Sequence, residues 1–487
     1  MRSRKSVLVH RSLGESQVFV MSSLFRHSAF VCPKPKGIGS IYAITFSLIV
    51  LVLGCQTPPS GSRNSEIEDP GGILRIGTSG DYHPFSWWPE NQLRPSGFSI
   101  AVAQAYGASR RMQLQWIRFR WSELATGLRT DAFDFALSGI TVRSDRSESG
   151  RFSLPLTTSS ALALVLEDST FKTTADLNQA SIRLAVNAGG HLERVARSLF
   201  PDSRVDAIPD NHGVLEELLK GRADAVVTDT LEAPHWRRLA KIPLRVIGPL
   251  TQDRKAAWFA PTKTVEAARF SRWLLGAEAS GQLEALRELY GLPVDHTAGP
   301  LSALLSSLDE RLTLMIGVAD AKEVLEIATE DIARENRVLE AAVSGVLREA
   351  HRASVPAPTR SAIRALFQSQ IDAAKWIQER RRKAIGRPST NTKVGSREAS
   401  RTRLEEVIRP ALIFLGDRIS MLVIVCVETR IASPTLHEVA AALERHDLPD
   451  DHLRAIHASI SGIIHREKLF EPTRPPVWEE RGRAPSE

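Results

Sequence analysis

Apolar and polar residues are patterned in two different ways along this 487-residue chain. Between residues 73 and 295, short β-rich runs alternate with stretches whose apolar residues recur at helical spacing. The strand-like runs are ILRIGT, LQWIRF, FDFALSG, LALVLE, IRLAVN, DAVVTD and PLRVIG, and the helix-like runs are SIAVAQAYGA, ELATGLRT, LERVARSLF and HGVLEELLKG. This alternation predicts an α/β domain with a mostly parallel sheet. The pattern starts afresh after Ala161, which predicts a second lobe and a return near Ala256.

The character of the chain changes after His296. From Leu301 to Arg382 there is little strand signal, and Leu301, Leu304, Leu305, Leu308, Leu312 and Met315 form one apolar stripe. The Gly/Ser/Thr/Arg-rich stretch 384–402 predicts a mobile loop, and helical character then continues to about residue 468. We therefore predict a multidomain protein with an α/β two-lobed domain over 73–296, an all-α domain over 300–470 and a disordered tail over 471–487.

The N-terminus has the pattern of an export signal. Basic residues precede the apolar run Ile41–Leu53, which is too short for a comfortable transmembrane helix and suits a signal sequence. The run leads into Val-Leu-Gly-Cys, which resembles a bacterial lipobox and implies a leader over 1–55 with lipidation at Cys55. An uncleaved anchor is the alternative, and Met21 is an alternative start. Residues 56–72 predict a polar tether, so we expect a periplasmic protein attached to the membrane only by this anchor.

Charge and cysteine usage narrow the classes of function. The net charge is +7, but the basic residues are spread along the chain and no nucleic-acid-binding motif accompanies them. We therefore expect no nucleic-acid partner, and we interpret the excess of positive charge as favouring small anionic ligands. The three cysteines, Cys32, Cys55 and Cys426, provide neither a disulfide framework nor a metal site, and Cys426 lies in an apolar run typical of a core. No metal or organic cofactor is expected.

Several motifs of the α/β part resemble one known family. They are TSGDYHPFS at 78–86, GFSIAVAQAYG at 97–107, the segment around Trp121, ALSGITVRSDRSESGRFSLP at 136–155, NAGG at 187–190 and VVTDTLEA at 226–233. Together they resemble the type II periplasmic binding fold, and most closely its enzymatic branch, the cyclohexadienyl (prephenate/arogenate) dehydratases. The resemblance spans the whole domain.

This resemblance implies a set of ligand-binding residues. Arg146 would hold a carboxylate, because its planar guanidinium suits bidentate pairing. The backbone N–H groups of Gly189 and Gly190 would cradle an anion at a helix start, and Phe85 and Trp121 would sandwich a six-membered ring. The remaining substrate-binding candidates are Asp81 and Asp229, for which turn capping is the alternative role.

Glu232 is the candidate catalytic acid of this domain. Amino-acid-binding relatives usually carry an apolar residue at this position, whereas loss of the ring hydroxyl of prephenate needs a proton donor with a raised pKa. A surface or capping glutamate after the strand VVTD is the alternative. Leu192 stands where the dehydratases tend to have Asn, which removes a polar group from the expected cleft.

The helical part resembles the all-α chorismate mutases, particularly the secreted type. The matching motifs are DERL at 309–312, VADAK at 318–322, EDIARENRVLE at 330–340, LFQSQIDAAKWIQ at 366–378 and RPALIFLGDRI at 409–419. Arg311 and Lys322 are eleven residues apart, about three turns, so they share a face of a continuous helix. Several cations on one bundle favour a multiply anionic ligand such as the dicarboxylate chorismate.

The second resemblance also implies individual roles. Arg311, Arg334 and Arg418 would hold the substrate carboxylates, Lys322 and Gln378 would reach the ether oxygen, and Glu335 would take the hydroxyl. The catalytic set is thus Lys322, Gln378 and Arg334. Ala374 departs from the Ser or Thr common in that family, and solvated helix faces are the alternative interpretation of all these residues.

The two parts together predict a bifunctional enzyme with chorismate and prephenate as its substrates. The helical part would convert chorismate into prephenate, and the α/β part would convert prephenate into phenylpyruvate, or arogenate into phenylalanine. The alternative is an amino-acid-binding lipoprotein of a transport system with a helical partner domain. A sensor or scaffold whose two sites have decayed is a further possibility.

Overall fold

The fold is described here from a computed structural model, which covers residues 72–293, 299–385 and 394–464. The predicted leader, Cys55, nearly all of the tether and the tail over 471–487 lie outside these residues. The strands are Ile73–Thr78 (β1), Asp81–Tyr82 (β2), Ser86–Trp87 (β3), Gln113–Arg118 (β4), Phe135–Thr141 (β5), Arg151–Phe152 (β6), Thr157–Ser159 (β7), Ala161–Leu166 (β8), Arg183–Asn187 (β9), Arg204–Ile208 (β10), Ala225–Asp229 (β11), Leu244–Ile247 (β12) and Asp253–Phe259 (β13).

Two lobes make up the α/β part. The first contains a sheet in the order β4-β1-β5-β13-β6, in which β1 runs parallel to β4 and β5 while β13 is antiparallel to β5. The second contains a sheet in the order β10-β9-β11-β8-β12. The helices of both lobes are Phe98–Ser109 (α1), Leu124–Arg129 (α2), Ser144–Ser149 (α3), Thr174–Leu177 (α4), His191–Leu199 (α5), Asn211–Leu219 (α6), Ala233–Ala240 (α7), Thr264–Ala279 (α8) and Gln282–Leu289 (α9).

The chain passes twice between the lobes. It leaves the first sheet at β7, enters the second at β8, and returns after β12 into β13, whose first residues pair with β7. The two-lobed α/β prediction and the restart after Ala161 are confirmed. Since β11 and β9 are parallel neighbours, the residues that follow them emerge at the same edge of the second sheet.

The remainder is helical, which confirms the predicted fold class of the second half. Its helices are Pro300–Thr313 (α10), Met315–Leu325 (α11), Ile332–Ala353 (α12), Arg360–Ile385 (α13), Val394–Thr402 (α14), Arg409–Glu428 (α15), Leu436–Leu443 (α16) and Asp450–Ile464 (α17), with a π-helical segment Arg403–Ile408 and a 3-10 turn Glu444–His446. The loop prediction for 384–402 is wrong over 394–402, where α14 continues through the π-helical segment into α15. Its Gly, Ser and Thr residues suggest a loop, but packing against α11 favours the helix.

The long helix that includes α15 lies in the core of this region. Ser396–Glu428 is long and apolar enough to span a bilayer, but 67% of its apolar window is buried inside the protein. Cys426 is a free, fully buried cysteine on this helix, as its apolar neighbours predict. Burial raises the pKa of its thiol to about 12, so the thiol is a packing group rather than a nucleophile.

Helix α10 joins the helical part to the segment that returns from the second lobe. The buried carboxylate of Asp309 forms an ion pair with Arg254 of β13 and lies 3.2 Å from Arg445 Nε. His446 Nε2 lies 2.8 Å from the same carboxylate. Burial raises the pKa of Asp309, but the hydrogen bond with His446 and the charges of Arg254 and Arg445 outweigh it and hold that pKa below its usual value.

The next residue of α10 contacts the first lobe. Glu310 accepts a hydrogen bond from Ser147 Oγ of α3 at 2.8 Å and forms an ion pair with Arg418 of α15. Arg418 also donates to the carbonyl of Phe152 at 3.1 Å. The residue after Glu310 is Arg311, which faces the interior of the helical part.

Candidate functional site

A cleft lies where the two lobes meet, and Glu232 is at its base. Glu232 occupies the N-cap position of α7, directly after β11, but its side chain makes no capping hydrogen bond. Its carboxyl oxygens contact Asn211 Nδ2 at 2.7 Å and Thr228 Oγ1 at 2.9 Å. The residue is only 2% exposed, which excludes the alternative of a surface glutamate.

The environment of Glu232 favours the protonated acid. Burial is the largest cause and raises the pKa of this carboxyl well above its usual value, and the nearby charges of Asp229 and Asp81 act in the same direction. Hydrogen bonds from Thr228 and Asn211 oppose the shift without outweighing it. A carboxyl group whose pKa is raised in this way can serve as a general acid.

Three further groups form a buried network beside this acid. Asp229 Oδ2 accepts a hydrogen bond from Lys255 Nζ at 3.0 Å and another from the Tyr82 hydroxyl, while Oδ1 accepts from the backbone N–H of Leu231 and Glu232. Asp229 therefore caps the turn and also faces the cleft. Burial and the Asp229 charge raise the pKa of Tyr82, so its hydroxyl stays protonated.

Arg146 supplies the unpaired positive charge of the cleft. Its side chain lies over the ring of Trp258 and donates to the carbonyl of Thr141 at 3.1 Å. It is 5% exposed, and no carboxylate pairs with it within the described residues. Burial and the nearby Arg143 lower its pKa to about 9, which marks the energetic cost of this uncompensated charge.

The cleft is closed in this structure. Its free volume is about 40 Å³, whereas a cavity of about 150 Å³ holds a benzene ring, so a ring-shaped ligand requires the lobes to move apart. Leu192 lines the cleft at the start of α5, as its place in the sequence predicts. Beside it, His191 Nε2 lies 3.0 Å from Asp253 Oδ1.

Two sequence-based expectations for this cleft need correction. Phe85 is fully buried behind Tyr82, on which it stacks with ring centroids 5.1 Å apart, so Tyr82 and Trp121 line the cleft instead. The N–H of Gly189 is already donated to the Glu193 carboxylate at 2.7 Å. Only Gly190 of that pair therefore lines the space.

Asp81 lies next to the cleft and positions other groups. Its carboxylate accepts a hydrogen bond from Trp121 Nε1 at 3.1 Å, and its backbone carbonyl accepts from Asn211 Nδ2 at 2.9 Å. Burial raises the pKa of this carboxyl above its usual value. Asp81 thus orients the ring of Trp121 and the amide that contacts Glu232.

Sequence reasoning missed several residues of this cleft. Tyr82 lies within the motif TSGDYHPFS, and its hydroxyl group is the feature of the sequence that could have identified it as a cleft residue. Lys255 and His191 come from β13 and α5, and only the folded topology brings them beside Asp229 and Asp253. Asn211 is recognisable at the start of α6, but nothing in the sequence places it against Glu232.

A second cavity, of about 210 Å³, lies inside the helical part. Five cationic side chains line it against three acidic ones: Arg311, Lys322, Arg334, Lys375 and Arg409 against Asp331, Glu335 and Asp417. Gln378 and Ala374 line the same space. Five of the predicted mutase residues, Arg311, Lys322, Arg334, Glu335 and Gln378, are therefore brought together.

Two polar atoms in this cavity, one donor and one acceptor, stand out by their lack of partners. Arg311 is 8% exposed, its Nη1 has no hydrogen-bond partner in the described structure, and burial lowers its pKa to about 10. The amide nitrogen of Gln378 contacts the Ala374 carbonyl at 3.1 Å, while its buried carbonyl oxygen is also unpaired there. Burial and the charge of Arg334 lower the pKa of Lys322, which donates to the carbonyl of Thr329 at 2.7 Å.

The prediction for Arg418 is corrected. Arg418 points away from this cavity, into the ion pair with Glu310, and Arg409 lines the cavity in its place. The two arginines are nine residues apart on α15, which is two and a half turns, so they lie on opposite faces of the helix. Glu335 accepts a hydrogen bond from Lys375 at 3.2 Å and remains at the cavity wall.

The two-lobed fold with a polar cleft at the lobe junction defines a periplasmic solute-binding domain. Residues 74–353 match the bacterial extracellular solute-binding proteins, family 3, and the chain belongs to this family. A protein of this extracellular family is assigned to the periplasm. Lipid anchoring at Cys55 stays a prediction.

Individual relatives are both enzymes and binding proteins. The chain is 30% identical to a cyclohexadienyl dehydratase of Pseudomonas aeruginosa over 220 residues, covering 45% of this chain and 82% of that protein. It is 25% identical over 249 residues to a probable amino-acid-binding protein of Bacillus subtilis, covering 50% and 93%. A crystal structure of an ancestral amino-acid-binding protein, a precursor of cyclohexadienyl dehydratase, aligns at a TM-score of 0.43 and 28% identity, covering 45% of this chain and 95% of that chain.

Proposed function

We propose that the α/β domain is a prephenate dehydratase of the cyclohexadienyl type. The single observation that supports this most strongly is Glu232, a buried acid with a raised pKa at the base of a closed cleft that also contains an unpaired arginine. The 30% identity to a cyclohexadienyl dehydratase supports the same choice. A protein that only holds a ligand has no need of a protonated carboxyl group there.

The proposed reaction uses the cleft residues as follows. Arg146 binds a substrate carboxylate, and Trp121 with Tyr82 borders the ring. Glu232 donates its proton to the departing ring hydroxyl, which leaves as water. The electrons of the breaking bond between the ring and its carboxylate form the new ring double bond, and CO2 is released. Phenylpyruvate is the product from prephenate, and phenylalanine would be the product from arogenate.

Asp229 and Lys255 have a supporting role in this proposal. Their buried ion pair keeps a carboxylate close to Glu232, and that charge helps to raise the pKa of the acid. After the proton has left, the Glu232 carboxylate is stabilised by Asn211 and Thr228, which already contact its oxygens. Proton return from water then restores the acid.

For the helical part we propose chorismate mutase activity. The observation that favours it is the 210 Å³ cavity with five cations and an unpaired buried Arg311, which suits a dicarboxylate. The rearrangement needs no nucleophile, only a held conformer and donors at the breaking ether oxygen. Lys322 and Gln378 provide such donors from α11 and α13.

Incubation of the purified protein with chorismate tests both proposals in one experiment. We expect chorismate to disappear and phenylpyruvate to form, with prephenate as a transient, measured by chromatography. Accumulation of prephenate would contradict the dehydratase proposal, and conversion of added prephenate without consumption of chorismate would contradict the mutase proposal. If neither substrate reacts and a free amino acid binds in the cleft, the amino-acid-binding lipoprotein is the correct alternative.

A further inference from the structure

The carboxylate of Asp229 has no acceptor position left for a ligand. A carboxylate offers about four acceptor positions on its two oxygens. Oδ2 accepts hydrogen bonds from Lys255 Nζ at 3.0 Å and from the Tyr82 hydroxyl. Oδ1 accepts from the backbone N–H groups of Leu231 and Glu232 at 3.0 and 3.1 Å. All four positions of Asp229 are therefore filled by the protein itself.

The other acid of the cleft does not supply a free negative charge either. Glu232 is the only further acid among the described residues that line the cleft. Burial raises its pKa well above the usual value, which favours the uncharged acid, and its oxygens already contact Asn211 and Thr228. An ammonium group that enters the cleft therefore has no free carboxylate with which to pair.

Lys255, in contrast, retains one donor for a ligand. Its ammonium group has three N–H bonds. One is donated to Asp229 Oδ2 and one to Thr141 Oγ1, each at 3.0 Å. The third has no hydrogen-bond partner among the described residues, and Lys255 lines the cleft. This N–H is therefore available to a ligand oxygen when the lobes open.

One residue of β5 holds Arg146 and Lys255 side by side. Arg146 Nη1 donates to the backbone carbonyl of Thr141 at 3.1 Å, and Lys255 Nζ donates to Oγ1 of the same residue at 3.0 Å. Lys255 and Thr141 are also register partners in the sheet of the first lobe. A ligand whose carboxylate pairs with Arg146 thus places the substituent of its neighbouring carbon close to Lys255.

We propose that Lys255 makes the cleft selective for a 2-oxo acid over the corresponding 2-amino acid. The selectivity rests on the proposed dehydratase function, for which it means that prephenate is preferred to arogenate. The keto oxygen of prephenate accepts the third N–H of Lys255, while the adjacent carboxylate pairs with Arg146. In arogenate the same carbon carries an ammonium group, which would lie beside the Lys255 ammonium and beside an Asp229 with no free acceptor position. This opposition of donor to donor disfavours the amino acid.

Steady-state turnover of prephenate and arogenate by the purified protein tests the selectivity. We expect kcat/KM in the wild type to be about 10²-fold or more higher for prephenate. Lys255→Met removes the ammonium group and frees one acceptor position of Asp229, so the ratio of the two kcat/KM values should fall at least tenfold. Lys263→Met is the matched control and should keep the wild-type ratio. Lys263 also pairs with a carboxylate, that of Asp134 at 3.0 Å, but does not line the cleft.

A second variant separates the two causes of the selectivity. Tyr82→Phe frees the other acceptor position on Asp229 Oδ2 and leaves the Lys255 ammonium in place. The ratio should therefore fall in Tyr82→Phe, but less than in Lys255→Met. An unchanged ratio in Lys255→Met would overturn the role given to this lysine.

Ligand binding to the wild type tests the selectivity without turnover. Isothermal titration should show the tightest binding for phenylpyruvate, weaker binding for 3-phenylpropionate, which has neither the keto nor the ammonium group, and the weakest for L-phenylalanine. We expect at least a tenfold difference between the first and the last. Arg146→Met should weaken binding of phenylpyruvate at least tenfold, which assigns the titration to the cleft.

Three further results would overturn the proposal. They are a kcat/KM for arogenate that equals or exceeds that for prephenate, binding of L-phenylalanine as tight as that of phenylpyruvate, and no binding of phenylpyruvate that depends on Arg146. If neither prephenate nor arogenate reacts, the dehydratase proposal fails by itself, while the order of the three titrations still decides the selectivity of the cleft.

Discussion

The cleft and the helical cavity each contain a buried arginine without a carboxylate partner among the described residues, Arg146 and Arg311, but the other charges around them differ. In the cleft, Lys255 is neutralised by Asp229, and the exceptional group is the buried carboxyl of Glu232, whose pKa is raised. In the helical cavity, cations exceed acids, and Arg311 is buried without a partner among the described residues. The first arrangement is suited to proton donation and the second to holding a multiply charged anion in one conformer. The difference matches the two separate activities proposed for this chain.

The largest effect is expected from Glu232→Gln. Glutamine keeps the size of the side chain but cannot donate an acidic proton, so prephenate turnover should fall by about 10²–10⁴-fold. Consumption of chorismate should be unchanged, because Glu232 lies in the other domain. Glu216→Gln, an exposed glutamate of the same lobe, is the control and should leave both rates intact. Equal turnover of prephenate by Glu232→Gln and the wild type would exclude Glu232 as the acid.

Arg311→Met should affect rate and stability in opposite directions. Loss of this donor should slow chorismate turnover by about 10²-fold or more, since a carboxylate or developing charge loses its partner. The free energy of unfolding should rise by about 1 kcal/mol, because an unpaired buried charge is replaced by an apolar side chain. Chorismate assays and denaturant unfolding measure the two effects. Arg337→Met, at an exposed position of α12, should change neither; a loss of stability without a loss of rate in Arg311→Met would contradict the role given to Arg311.

The dependence on pH should separate the two steps. Glu232 has a raised pKa and must be protonated to act, so turnover of prephenate should be retained at low pH and fall as the pH rises through that pKa. Gln378 does not titrate, so chorismate turnover should lack this decline until the pH rises through the lowered pKa of Lys322. Rate profiles for each substrate measured in the same buffers provide the check. A profile for prephenate that rises with pH would indicate a base in place of an acid.

The smallest effect is expected from Ala374→Ser, which returns a hydroxyl to the helical cavity. One additional hydrogen bond of about 1 kcal/mol should lower the KM for chorismate about fivefold. Ala365→Ser, at an exposed position of the same helix, is the control. An unchanged or higher KM would show that the new hydroxyl bonds to the preceding helical turn instead of to the substrate.

The sequence predicts the helices and strands and the kinds of side chain in the candidate sites. Which of several similar residues lines a site depends on packing. The apolar strand that precedes Glu232 in the sequence favours burial of this residue. The sequence does not predict that Arg409 rather than Arg418 lines the helical cavity. Both residues lie on an apolar helix, and only the packing of α15 decides which of its faces meets the cavity. Likewise Tyr82 and Phe85 belong to one short hairpin, where no periodicity distinguishes the ring at the cleft from the ring behind it.

Contacts between residues that are distant in the sequence are the second feature that the sequence does not predict. Lys255 meets Asp229 only because β13 returns from the second lobe beside β5. A lysine in an apolar strand gives no sign of its partner until the sheet order is known.

The triplet Asp309-Glu310-Arg311 on α10 determines how this protein can be divided. Asp309 forms an ion pair with the segment that returns from the second lobe, and Glu310 accepts a hydrogen bond from the first lobe. Arg311 lines the helical cavity. A cut near residue 296, where the sequence changes character, would free Arg254 and Ser147 from their partners and expose two buried carboxylates. The border visible in the sequence is thus not a line of separation. The two halves therefore have to evolve together as one unit. Either half expressed alone would need new surface residues at the broken contact before it could replace the whole protein.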